Sequence, residues 1–229
     1  TPLYSSAASD VYKRQSLVDT YHLAKRSQRS LIYTGVDEVN VVDMASKESA
    51  RSFVYKKMGI SFTKNIRMVG MIIHGDEYDG AEYFIDMAYL ADLYKNLTNT
   101  IFIILSTRPV SAYIQKHIHD MGVEGICFVI DNVENPKQYI QACDIYISPR
   151  TRPGDLYTLM YAMYVGVSCI ATKVGDTKEI ESYVAARLVP PTSAKYLTEA
   201  LMYVIDQHKQ SVGRINTCLL YTSPSPRDS

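Results

Sequence analysis

The chain reads as an α/β protein: a parallel sheet built from Rossmann-like βαβ units. Three observations predict this. Short runs rich in Ile, Val, Phe and Leu recur from Ile66 onward, and they are nearly continuous rather than alternating. Amphipathic stretches separate them at intervals of about 20 to 35 residues. A strand that is apolar on both faces needs cover on both, as a parallel strand has between two layers of helices. Strand, helix, strand in succession then describes right-handed crossovers.

The elements follow in chain order. Leu17 to Lys25 is weakly helical, Leu31 to Tyr33 resembles a short strand, and Lys47 to Met58 predicts a helix closed by Gly59. Ile66 to Ile72 is the first strand of the regular alternation. Ala81 to Leu97 carries Phe84, Met87, Ala88, Leu90, Ala91 and Leu93 at spacings of three and four, which makes one apolar helix face. Ile101 to Leu105 is the next strand. Pro109 can open the helix after it, and Gly122 can end that helix. Ile126 to Ile130 and Ile145 to Ile147 are strands on either side of a short helix, Pro136 to Ala142. Leu156 to Val165 is helical, Ser168 to Ala171 is a strand, and Ser193 to His208 is the last helix. Sheets of this kind take ligands at the carboxyl ends of their strands, which points to the loop Ser148 to Asp155.

Composition narrows the function classes. The chain has 24 basic and 24 acidic residues, a formal net charge of +0. That balance offers no global attraction to nucleic acid or anionic lipid. The longest apolar runs, such as Ile101 to Leu105, are far too short to span a bilayer. Cys127, Cys143 and Cys169 sit in or beside apolar stretches without CxxC or CxxH spacing, so they read as small buried hydrophobes. A reduced, cytoplasmic setting fits them. His117 and His119 are two apart, which turns them to different faces of a helix and argues against a shared metal.

The two ends read as foreign to the fold. Ser5 to Gln15 (SSAASDVYKRQ) and Cys218 to Asp228 (CLLYTSPSPRD) resemble in-frame translations of the transposase adapters used in short-read library preparation. The alternative is a basic N-terminal arm and a Ser/Pro-rich tail. The expected organisation is adapter translation over 1–15, a remnant of a preceding domain or linker over 16–61, a Rossmann-like domain over 62–210, and adapter translation over 218–229. On that reading the native stretch is a fragment, Ser16 to Thr217, carrying a net charge of −1 once Lys13, Arg14, Arg227, Asp10 and Asp228 are set aside.

Several short motifs occur in a consistent order. Thr34-Gly35-Val36-Asp37 looks like an NGVD turn, Val69-Gly70-Met71-Ile72 like a VGRL strand end, and Asp79-Gly80 like a KG at a helix start. Ala142-Cys143-Asp144-Ile145-Tyr146-Ile147-Ser148-Pro149 is similar to ADVFVLPS. Ala162-Met163 followed by Gly166 is similar to EAMACG. Cys169 to Gly175 with Glu179-Ile180 is similar to VIATxVGGxxEI, and Leu188-Val189-Pro190-Pro191 to LLVPP. Together these resemble the C-terminal domain of the group 1 (family 4) retaining glycosyltransferases, over roughly Ile32 to Ile205. The resemblance implies the C-terminal half of a GT-B fold that binds a nucleotide-sugar donor as substrate, with no further cofactor and no metal. It also implies a saccharide or lipid-linked hydroxyl acceptor held by a preceding domain, which would make any peripheral membrane contact as well.

What the resemblance implies for the site can be stated physically. A diphosphate needs fixed donors, and the first N–H groups of a helix supply them. Here that helix starts near Leu156, with Tyr157, Thr158 and Tyr161 along it, Asp155 as its N-cap and Gly154 letting the backbone pass close to the ligand. Gly70 would let the first loop approach the donor. Phe128 to Asn132, centred on Ile130, would hold the nucleobase. Pro153 and Tyr161 stand where the family has the two carboxylates of its E-x7-E motif, and Met71 and Asp79 stand where it has an Arg and a Lys. Each lost charge-assisted phosphate contact costs about 1.5–3 kcal/mol. Arg150, Arg152, Arg108 and His74, all in loops after strands, are the residues able to replace those cations. Tyr161 keeps a phenol that can hydrogen-bond a ribose. As plain structure, the arginines are solvated loop charges, His74 is an exposed loop residue, and Tyr157, Tyr161 and Tyr164 are core at helical spacing. Asp144 and Glu179 read as structural. The competing functions are a sugar transferase and a non-catalytic scaffold subunit of a transferase complex. A nucleotide-sugar epimerase fits the motifs less well.

Overall fold

The computed structural model describes residues 44–210 apart from 62–64, 76–77, 96, 98, 155, 176 and 178–185. Both adapter-like ends, the elements expected at Leu17 to Lys25 and Leu31 to Tyr33, the Thr34 to Asp37 turn, Asp155 and Glu179-Ile180 lie outside the described residues. Six strands form one sheet: β1 (Arg67–Ile73), β2 (Thr100–Ser106), β3 (Cys127–Ile130), β4 (Ile145–Ser148), β5 (Ser168–Thr172) and β6 (Ala186–Val189). All pairings are parallel, in the order β3-β2-β1-β4-β5-β6. The helices are α1 (Met44–Met58), α2 (Ala81–Lys95), α3 (Ala112–Asp120), α4 (Pro136–Ala142), α5 (Tyr157–Tyr164) and α6 (Ala194–Gln210).

The sheet separates two apolar layers. On one face Met68, Ile72, Ile103 and Tyr146 meet Val54 and Tyr55 of α1, Ile140 of α4 and Leu159 of α5. On the other Val69, Met71, Ile104 and Ile147 meet Phe84 and Met87 of α2, Ile118 of α3 and Leu201 of α6. Alternate residues of one strand enter opposite layers, so both faces of β1 and β2 must be apolar. Burying one such side chain fully stabilises the fold by about 1.5–3 kcal/mol. Met71, where the resemblance would put an Arg, is 0 % exposed in the second layer, so its side chain lies in the core. Cys127, Cys143 and Cys169 are buried as expected. Burial pushes the Cys127 and Cys143 thiols up to about 12.

Three expectations are corrected. Gly70 does not serve a loop: it lies inside β1, and a Cβ there would sit 2.5 Å from Cys143 Sγ. The glycine leaves room for the Cys143 side chain, from the segment that enters β4. The α3 helix begins after Ser111 rather than at Pro109. The α1 helix, expected as part of a connection, is packed into this domain. Its Arg51 donates to an Asp144 carboxylate oxygen and to the Ala142 carbonyl, and its Lys47 lies 2.8 Å from Asp144. Burial opposes the Asp144 charge, but Lys47 and Arg51, with the Met68 N–H, outweigh it and hold the carboxyl below its ordinary range.

No helix among the described residues is long and apolar enough to cross a membrane.

Candidate functional site at the carboxyl edge

In a sheet ordered β3-β2-β1-β4-β5-β6, consecutive crossovers run in opposite directions on either side of β1 and β4. That switch point, between β1 and β4, is where a sheet of this order offers a ligand crevice. The loop after β1 supplies His74, Gly75, Tyr78 and Asp79. The loop after β4 supplies Pro149 to Gly154.

The two loops are tied together. Asp79, only 3 % exposed, accepts from the His74 N–H at 2.7 Å and the Gly75 N–H at 3.0 Å through Oδ2. Its Oδ1 lies 2.6 Å from Arg150 Nη1. Arg152 donates to the Tyr78 hydroxyl at 2.9 Å and stacks over that ring at 4.2 Å, while the Thr151 N–H donates to the Tyr78 carbonyl at 2.9 Å. Gly80, at φ +76, lies so close to Pro149 that a Cβ would come within 2.1 Å of its carbonyl oxygen. Arg108, from the loop after β2, reaches the same place, its Cδ 3.5 Å from where a Gly75 Cβ would be.

Four of the sequence-selected residues, His74, Arg150, Arg152 and Gly154, are thus assembled at one crevice, with Arg108 beside it. The reason for Gly154 differs from the expectation. The space beside its Cα is filled by the Arg150 guanidinium, with Nε 2.4 Å from a Cβ position. The open side of Gly154 is taken up by Arg150.

The α5 helix begins at this edge with Leu156 as its N-cap, one residue later than the expected Asp155. No side chain among the described residues caps it. The first helical N–H groups have no intrahelical acceptor. Leu156 is buried, Tyr157 is half-buried, and Thr158 Oγ1 accepts from the Tyr146 hydroxyl at 2.9 Å. Tyr161 lies a turn further in, 1 % exposed, its hydroxyl accepting from Gln141 Nε2 at 2.8 Å. Burial pushes its phenol above the ordinary value, against the Gln141 bond and the Lys137 charge. Its ring belongs to the core between α4 and α5. Lys137, at the start of α4, lies over both Tyr157 and Tyr161, at 5.7 and 5.5 Å. Ile130 ends β3 opposite Leu105, and Asn132 follows with φ 54.

Sequence reasoning missed Asp79 and Tyr78 as anchors. Asp79 was readable only as a lost cation, because its partner is 71 residues away. On the other flank of β1 a cavity of about 330 Å³ shares Gly75 and Asp79 with the crevice and continues to Ser106, Ser111 and Tyr113. His117 pairs with Asp86 at 2.8 Å and His119 with Glu124 at 2.6 Å. Among the described residues no group of three or more His, Cys, Asp or Glu is placed to hold a metal ion.

A family profile described as "Glycosyl transferases group 1" matches residues 63–207, more than half of the chain. No curated protein matches. Among solved structures the chain is similar to Anabaena HepE in complex with UDP and glucose, at 19% identity and TM-score 0.69, over 90% of this chain and 53% of that one. It is also similar to a glycosyltransferase from Rickettsia africae, at 16% identity and TM-score 0.66, over 85% and 51%. The C-terminal domain of LpcC, a glycosyl transferase group 1 family protein from Francisella tularensis, aligns at 17% identity and TM-score 0.56, over 69% and 84%. Likeness at these identities is likeness of fold: an α/β, Rossmann-like parallel sheet shared with GT-B glycosyltransferases. The chain spans about half the length of the HepE and Rickettsia chains.

Proposed function

The chain belongs to the group 1 glycosyltransferases, and we propose that it is the donor-binding half of an enzyme that moves a sugar from a nucleoside diphosphate to a hydroxyl acceptor. The nucleotide lies across the crevice between β1 and β4. Its diphosphate faces the first turn of α5, with Arg150 and Arg152 in the loop after β4, His74 in the loop after β1 and Arg108 in the loop after β2. Its base lies toward Ile130, Asn132 and Tyr157. The observation that carries this reading is the coincidence of three features at one edge: the switch point, the start of α5 with its first-turn N–H groups, and the arginine-bearing loops. UDP and glucose in the HepE structure support it by likeness of fold.

In this reading transfer is retaining and independent of a metal. As the bond from sugar carbon to phosphate oxygen breaks, negative charge grows on the departing diphosphate. Fixed N–H groups and guanidinium groups stabilise that charge more than they stabilise the bound donor, which lowers the barrier. The acceptor, a saccharide or lipid-linked hydroxyl, is held by the rest of the protein, and the reaction runs in the cytoplasm.

A second reading is a non-catalytic subunit of a transferase complex. The Asp79–Arg150 pair favours it, because one of the cations already faces an internal carboxylate. Pro153 and buried Tyr161 at the carboxylate positions favour it as well. Calorimetric titration of the chain with UDP and with GDP separates the two. Saturable binding, weakened about tenfold by Arg152→Ala, is the outcome expected for a donor site. Absence of binding to either nucleotide at millimolar concentration would leave only the subunit reading.

A further inference from the structure

The crevice already contains an anion in the place suited to a phosphate. The Asp79 carboxylate presents two oxygens to two successive backbone N–H groups, those of His74 and Gly75, and to the Arg150 guanidinium. Consecutive amides with an arginine are the donor set that binds phosphate oxygens. The arrangement is built in rather than a loose surface contact. Asp79 is 3 % and the Arg150 side chain 13 % exposed, and the guanidinium lies against the bare backbone of Gly154. Gly80, the next residue, is locked against Pro149.

Resting on the donor-site reading above, we propose that Asp79 is an internal stand-in for a donor phosphate. It satisfies Arg150 and the two amides when no donor is bound, and a phosphate enters by exchanging for it. Because the carboxylate is tethered, it competes at a high effective concentration, so it sets the affinity of the site for phosphates. Replacing the carboxylate removes the anion that Arg150 Nη1 and the two amides now face.

The test is titration of the 229-residue chain with inorganic pyrophosphate, comparing wild type with Asp79→Asn and Asp79→Ala. Both variants are expected to bind pyrophosphate about tenfold more tightly than wild type, and adding Arg150→Ala to Asp79→Ala removes the gain. Equal or weaker pyrophosphate binding by a folded Asp79 variant overturns the proposal. Where neither variant folds, a crystal structure of the wild type grown with pyrophosphate decides. Phosphate on Arg150 and the His74 and Gly75 amides, with Asp79 displaced, supports the exchange. Phosphate elsewhere, or none, with the Asp79–Arg150 contact kept, overturns it. Parallel titrations with UDP separate this from the donor reading. UDP binding by wild type without any gain in the variants removes the exchange alone. A gain for pyrophosphate with no UDP binding by any form removes the donor reading alone.

Discussion

Single residues in this protein carry charge or shape that the fold requires elsewhere. Asp144 sits at the amino end of β4, and its carboxylate anchors α1 through Lys47 and Arg51 while accepting the Met68 N–H. The Lys47 and Asp144 side chains remain 26% and 22% exposed, so solvent screens part of the attraction. Asp144→Asn is expected to cost about 2 kcal/mol in urea unfolding at neutral pH, between the values for exposed and buried pairs. The folded carboxyl is held below its ordinary range, so its contribution is complete above the unfolded value and is lost as pH falls through the folded one. The gap between wild type and variant should therefore be widest at neutral pH and close in acid; a gap that widens in acid would refute this assignment. Gly70→Ala brings a methyl to 2.5 Å from Cys143 Sγ and should cost about 1–3 kcal/mol. Cys143→Ala in the same chain should recover most of that cost, and strictly additive losses would show that the two do not touch. At this scale the sequence was informative about type and poor about partner. Arg150 and Arg152 were placed in the right loop because a strand end precedes them. The roles of Asp79 and Gly154 were hidden, since each depends on where Arg150 folds back.

Elements were the most legible level. Continuous apolar runs marked β1 to β5, and three-and-four spacing marked α2, because burial on one or both faces writes itself into local pattern. The β6 strand escaped as a strand: Ala186 to Val189 is four residues with a charge among them, too short for a period to show. The α1 helix was legible as a helix but not as a layer of this domain, because the groups that receive it, Ala142 and Asp144, lie more than 90 residues away. The loops after β1 and β4 act as one unit through Gly80. Gly80→Ala combines a left-handed backbone with a 2.1 Å approach to the Pro149 carbonyl, and should cost about 3 kcal/mol in thermal unfolding. Gly122→Ala is the control: φ is similar, at +67, but nothing lies within 4 Å, so only the backbone term of about 1–2 kcal/mol applies. Equal losses for the two would contradict the contact between the loops. Tyr161→Phe removes one hydrogen bond between α4 and α5 and should lower stability by about 0.5–1.5 kcal/mol without changing nucleotide affinity.

For the molecule as a whole, the sheet order determines where chemistry can occur. Parallel sense follows from the near-continuous apolar runs, whereas the placement of β1 beside β4 is a tertiary fact that no local pattern encodes. The sheet order brings His74, Arg108, Arg150, Arg152 and the start of α5 to one edge from three separate stretches of chain. Donor binding of this kind requires the nucleotide to occupy that edge. Amide chemical-shift mapping of the isotope-labelled chain during a UDP titration tests it most directly. Saturable shifts are expected at His74, Gly75, Thr151, Arg152, Gly154 and Tyr157 to Leu159, with the amino edge around Asp144 and the α6 helix unmoved. Saturable shifts centred on α6 or on the Asp144 cluster, with the carboxyl edge silent, would contradict it.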